Sequence, residues 1–236
     1  MTDPLEKVRG LPRELPIFPL PLVLFPGTPL PLHIFEPRYQ QMLVDVRASG
    51  DNVFGVSYFD ASESETDEPP AHHVGCVAEV VEAQTLPDGR SNIMTLGVAR
   101  YRLESYVERG NAYLVGRVSF FEDEHDENED ALRETSRGVL DLFMRIARAV
   151  RALNDDRAQL PDLSQTDPER LSFLVAAAIE LDAKNKQQLL EIQSTLERLT
   201  RIHDLLRGAV GSYEDRARLH QVAKSNGHSG KKVTFE

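Results

Sequence analysis

The sequence predicts an α+β protein in which a curved sheet or small barrel of short strands, with one early helix, precedes a helical bundle. Three observations carry this expectation. Residues 52–121 hold a series of β-rich runs separated by turn formers. From residue 132 onward, apolar side chains recur at the three- and four-residue spacing of a helix face. Between the two regions lies EDEHDENED at 122–130, an acidic run that reads as a solvated linker.

The elements follow in order. Residues 1–12 read as a flexible N-terminus, ahead of a β subdomain over 13–121. That subdomain begins with LPIFPLPLVLFPGTPLPLHIFEPRY at 15–39, which has no charge between Leu15 and Phe35 and prolines at 16, 19, 21, 26, 29, 31 and 37. A membrane helix satisfies its backbone groups internally, and six prolines in one window defeat that. The segment is therefore read as extended, proline-stiffened chain whose Phe18, Leu22, Leu24, Phe25, Leu32, Ile34 and Phe35 mainly pack the core. Pro37 suits the first turn of a helix, and apolar residues at 39, 42, 43 and 46 give a short amphipathic helix over 37–46.

Strands are expected over Asn52–Phe59 and His73–Val81, divided by DASESETDEPP at 60–70, an exposed acidic loop. Asp88-Gly89 is a hairpin turn signal, with a return strand over Asn92–Ala99. Further strands are expected over Arg100–Val107 and Ala112–Phe121. After the linker, a helical bundle of about four members is read over 131–210. Leu132, Thr135, Val139, Phe143, Ile146, Val150 and Leu153 form its first stripe. Thr166-Asp-Pro-Glu169 and Ser194-Thr-Leu-Glu197 have capping-box spacing, and Gly208 and Gly211 end the last helix. Residues 211–236 read as a flexible tail.

At 41% hydrophobic and 28% charged, the 236 residues have the make-up of a globular protein. A net charge of −11 opposes general nucleic-acid binding, which draws its affinity from basic surface. One cysteine, Cys76, allows no internal disulfide framework, and with no signal peptide at the N-terminus the expected location is cytoplasmic. The chain lacks G-x-x-x-x-G-K-[ST], a dinucleotide fingerprint, a G-x-S-x-G elbow and H-E-x-x-H. His72-His73-x-x-Cys76 offers two ligands on one strand face at most, so no metal and no cofactor is expected. His33 has no nucleophile or acid near it in sequence, and Glu36 and Arg38 suit an ion pair at the helix start.

The stretch LPIFPLPLVLFPGTPLPLHIFEPRYQQML resembles the start of the N-terminal domain of Lon ATP-dependent proteases. The resemblance continues through FGV at 54–56, VGCVAEV at 74–80, LPDGR at 86–90 and GVARYRL at 97–103, then through 167–199. FPG-x-x-LPLHIFE-x-RY is its most specific part. It implies a six-stranded PUA-like β pseudo-barrel followed by the helical bundle. It also implies the role of a substrate-binding domain. Neither the phosphate loop nor the serine-bearing protease motif of that family occurs in this sequence, so its ATPase and peptidase activities do not carry over.

The expected function is therefore binding of unfolded or client polypeptide, without catalysis, and service as an adaptor to a separate protease or chaperone. No nucleic acid or membrane partner is expected, and the oligomeric state is left open. Candidate contact residues are Leu22, Leu24, Phe25, Leu30, His33, Phe35, Arg38 and Tyr39. Two alternatives stand beside this: a hydrolase using His33, Glu36 or His72 in a cleft, and RNA binding suggested by the PUA-like fold alone.

Overall fold

The structure is a computed structural model, and it describes residues 10–62, 64, 68–156 and 159–226. The expectations for 1–9, for parts of the 60–70 loop and for 227–236 lie outside the described residues. The chain divides into two units, one running to Glu124 and including Phe173–Gln193, the other comprising His125–Ser172 and the chain from Ser194.

The first unit is built on six strands: β1 (Glu14–Leu20), β2 (Pro29–Ile34), β3 (Val53–Tyr58), β4 (Val74–Thr85), β5 (Ser91–Tyr106) and β6 (Leu114–Phe120). Their order is β2-β5-β4-β3-β1-β6, and β5 also pairs β6, so five strands close a ring with β2 appended. This is the PUA-like pseudo-barrel of an α+β fold. β5 makes the closure possible by its length. Its first half lies between β2 and β4, and its second half exchanges β2 for β6. The two strands expected over 92–99 and 100–107 are thus one strand of 16 residues. Arg100 did not interrupt it, because the fold supplies that side chain with partners.

The prolines of the opening segment follow from this topology. β1 runs parallel to β3 over Ile17–Leu20 and antiparallel to β6 over Glu14–Ile17, so only Ile17 is paired on both sides. Pro16 and Pro19 fall where one neighbour is absent, which is where a residue without an N–H is tolerated. Next, Thr28 N–H and Oγ1 both donate to Phe25 O, closing a turn with Gly27 at φ 75°. The turn is fastened to β5, since Gly27 N–H donates to Gly97 O at 2.8 Å and Gly97 N–H donates to Thr28 O at 2.9 Å. A Cβ at residue 97 would lie 2.1 Å from Phe25 O, so the close approach requires glycine.

That bond also sets the parity of β2. Thr28 O and Leu30 O face β5, the latter accepting from Thr95 Oγ1. By the alternation of an antiparallel ladder, Pro29, Pro31 and His33 turn their main chain to the open edge.

Helix α1 (Pro37–Ser49) packs Tyr39, Met42, Leu43 and Val46 onto a core that includes Phe18, Leu24, Ile34, Phe54 and Ile93. It ends at Gly50, which takes the left-handed conformation. A second cluster, with Leu15, Ile17, Val77, Tyr101 and Leu103, fills the ring. Tyr101 Oη is 2.7 Å from Ser57 Oγ, and its ring occupies space that a Cβ on Gly55 or Gly75 would enter.

Among the described residues the remaining helices are α2 (Glu129–Leu153), α3 (Pro168–Ala178), α4 (Ala183–Glu191) and α5 (Thr195–Asn226). α4 was expected in the bundle, yet it belongs with the β unit. Arg100 explains why: its guanidinium donates to Leu190 O (3.0 Å) and Ile192 O (2.6 Å), pairs with Asp123, and lies over the rings of Phe121 and Phe173. Gln187 Nε2 adds a bond to Val74 O at 2.9 Å. Asp123, expected in a solvated linker, is instead the buried counter-charge of Arg100.

In the helical unit, α2 and α5 pack against each other, with Val139, Leu142 and Ala149 buried from α2. The cap of α3 is Asp167, whose Oδ2 accepts from Glu169 and Arg170 N–H, one residue beyond the expected Thr166. Ser194 Oγ accepts from Glu197 N–H at 3.0 Å, as the capping-box spacing requires. α5 does not end at Gly208 or Gly211 but runs to Asn226. Each internal glycine costs about 1 kcal/mol of helix propensity. Burial of Ile202, Leu206, Val210 and Ala217 on one face offsets that cost.

Candidate polypeptide-binding surface

The eight residues singled out in the sequence separate into three environments. Leu24 and Phe25 are interior, and Tyr39 is buried beneath α1, where desolvation raises its hydroxyl above the ordinary tyrosine range. Leu22 and Leu30 are half-buried against the core. His33, Phe35 and Arg38 reach the surface.

Phe35, expected to pack the core, is 60% exposed. The reason is parity: Ile34 is the last β2 residue to point inward, so its successor points out. The Phe35 ring stacks on His33, with centroids 6.1 Å apart, and His33 Nδ1 lies 2.7 Å from Asn92 Oδ1. Arg38 pairs with Glu36 at 2.9 Å and lies over the Tyr39 ring.

Around this point two grooves open on the β unit. The first, of about 550 Å³, crosses the outer face of β2, β5 and β4. Register places Pro31, Met94 and Glu82 in one row and His33, Asn92 and Gln84 in the next. Val81 stands beside the rows at 51% exposure, because an irregularity between Val80 and Glu82 leaves it without a partner on β5. The second groove, of about 710 Å³, separates α1 from the β4–β5 hairpin and includes Pro37, Val44, Arg47 and Gly89. Val44 is 61% exposed. Phe35 bridges the two in sequence, and its carbonyl accepts from Gln40 Nε2 of the second groove.

Val44, Val81, Met94 and Arg47 were not singled out in the sequence. Val44 did carry a signal, being a valine off the 39, 42, 43, 46 stripe of its own helix. Val81 had none, since only pairing reveals the bulge.

Cys76 is fully buried in the core and its thiol is pushed up to about 12 by desolvation, so it is not available as a thiolate. His73 is half-buried and burial lowers its pKa, while His72 sits exposed at positive φ. Among the described residues no group of three or more His, Cys, Asp or Glu is placed to hold a metal. No described helix is long and apolar enough to cross a membrane.

The profile of the family described as ATP-dependent protease La (LON) substrate-binding domain matches residues 14–208. Lon protease 2 of Herpetosiphon aurantiacus is 28% identical over 194 residues, covering 82% of this chain and 23% of that protein. Lon protease of Cytophaga hutchinsonii is 28% identical over 217 residues, covering 89% of this chain and 26% of its own. The chain thus spans about a quarter of the length of these curated relatives. Two solved structures share the fold. The Lon N-terminal domain protein from Xanthomonas campestris superposes with a TM-score of 0.57 at 24% identity, covering 80% of this chain and 96% of that one. The N-terminal domain of Mycobacterium avium complex Lon protease gives 0.61 at 18% identity, covering 82% and 98%.

Proposed function

Since the chain belongs to the Lon substrate-binding domain family, we propose that it is a non-catalytic module that binds exposed apolar segments of other polypeptides. In this reading it presents such clients to a separate protease or chaperone. The observation that carries the proposal is exposed apolar surface at the two grooves: Val44 lines the second, Phe35 stacks on His33 of the first, and Val81 precedes Glu82 of the first, each more than half exposed. Scattered exposed apolar residues are ordinary, but apolar side chains gathered at concave surface mark contact sites. The face offers stacking and van der Waals contact, together with a few amide and imidazole groups. That set suits polypeptide of varied sequence.

Fluorescence anisotropy with reduced, carboxymethylated α-lactalbumin tests this. Binding at about tens of micromolar or tighter is expected, with none to the native, disulfide-bonded form. Phe35→Asp combined with Val81→Asp is expected to weaken it by roughly tenfold. Absence of binding to the unfolded form, or equal binding to both forms, would remove the proposal.

A further inference from the structure

Within that reading, on which this inference rests, we infer that the groove between α1 and the β4–β5 hairpin selects polypeptide segments in which an Asp or Glu side chain adjoins apolar residues. The argument begins with charge. The sequence has 38 acids against 27 Lys and Arg, so basic side chains readily find counter-charges. Arg38 and Arg90 do so, with Glu36 at 2.9 Å and Asp88 at 2.6 Å. Arg47 does not. Among the described residues it makes no ion pair, and it is the one charged side chain lining this groove. Its place in the last turn of α1 complements the helix dipole, which any cation would do, and leaves the guanidinium donors unspent.

The rest of the lining is apolar or uncharged. Pro37, Val44 and Ala48 supply aliphatic surface, Leu43 a buried floor, and Gln40 and Gln41 amides. Gln41 Nε2 already donates to Asp45, which also accepts from Tyr113 Oη, so that carboxylate is committed elsewhere. A ligand complementary to this lining carries one carboxylate for Arg47, held by a charge-assisted bond, and apolar groups for Val44 and its neighbours.

A side-chain carboxylate fits better than a chain terminus. Capture of a terminal carboxylate uses converging backbone N–H groups. Here those groups are occupied or absent: Tyr39 and Gln40 N–H donate to Glu36 O, Gly89 N–H donates to Leu86 O, and Pro37 has none.

The test uses the full chain and a fluorescein-labelled, extended, leucine-rich peptide with one central Glu, its Glu→Gln counterpart, and the latter with free or amidated C-terminus. Wild type is expected to bind the Glu peptide roughly tenfold tighter than the Gln peptide. Arg47→Gln is expected to abolish that preference while leaving the Gln peptide within about twofold. Arg47→Lys should retain part of it, and Val44→Asp should weaken both peptides. Arg47 is exposed, and thermal melting of each variant checks the fold. Equal binding of the two peptides by wild type, or a preference that survives Arg47→Gln, overturns the inference. A preference for the free over the amidated terminus overturns it in favour of terminus capture. Reduced, carboxymethylated α-lactalbumin, run in parallel, separates the two levels. If it binds and no Arg47 dependence appears, only the groove assignment fails. If neither it nor any peptide binds, the polypeptide-binding reading fails with it.

Discussion

Phe25 and Phe35 belong to one proline-rich segment, are of the same residue type, and meet opposite surroundings. Phe25 is fully buried, its ring 6.3 Å from that of Phe173, which in turn lies under Arg100. Phe35 is mostly in solvent, stacked on a histidine. Hydropathy cannot separate them. What separates them is geometry set by neighbours: the turn at Gly27 is fastened to Gly97 and holds Phe25 inward, whereas strand alternation turns Phe35 out one residue after Ile34. An apolar segment thus yields an anchored end and an exposed end.

The interior end is where the contrast can be broken with the largest effect. Phe25→Ala removes a close-packed ring and is expected to cost about 3–5 kcal/mol, read from the urea midpoint at constant m-value. A loss below about 1 kcal/mol would mean that this end is held no more firmly than the rim. Gly97→Ala probes the fastening rather than the filling. Its methyl would meet main chain at 2.1 Å, so the turn must shift, and about 1–3 kcal/mol of destabilisation is expected. An unchanged midpoint would show that the turn does not depend on that approach. Phe35→Ala sharpens the other side: stability within about 0.5 kcal/mol of wild type, with weaker capture of unfolded polypeptide. A large stability loss there would reassign Phe35 to the core.

Much of the fold was legible because periodicity reports burial. Tyr39, Met42, Leu43 and Val46 were visible as the inner stripe of α1, and Asp88-Gly89 as the β4–β5 turn. What stayed hidden depended on partners far along the chain. Arg100 looked like a break between strands until Leu190, Ile192 and Asp123 were found around it. The extension of α5 past two glycines depends on packing that local propensity does not contain. Of the eight candidate contact residues, His33, Phe35 and Arg38 lie at the surface. Arg47 carries no mark in the sequence, because what sets it apart is being the charged member of a lining drawn from both α1 and the β4–β5 hairpin, and that is a property of space.

The open edge of β2 has a consequence for any extended chain that comes to lie beside it. An extended polypeptide lying along Pro29–Pro31 would find carbonyl oxygens but no N–H from either proline. It could not be stitched on as a further strand there, so the edge does not template cross-β growth from whatever sits beside it. Any contact made along those two residues rests on side chains rather than on a main-chain ladder.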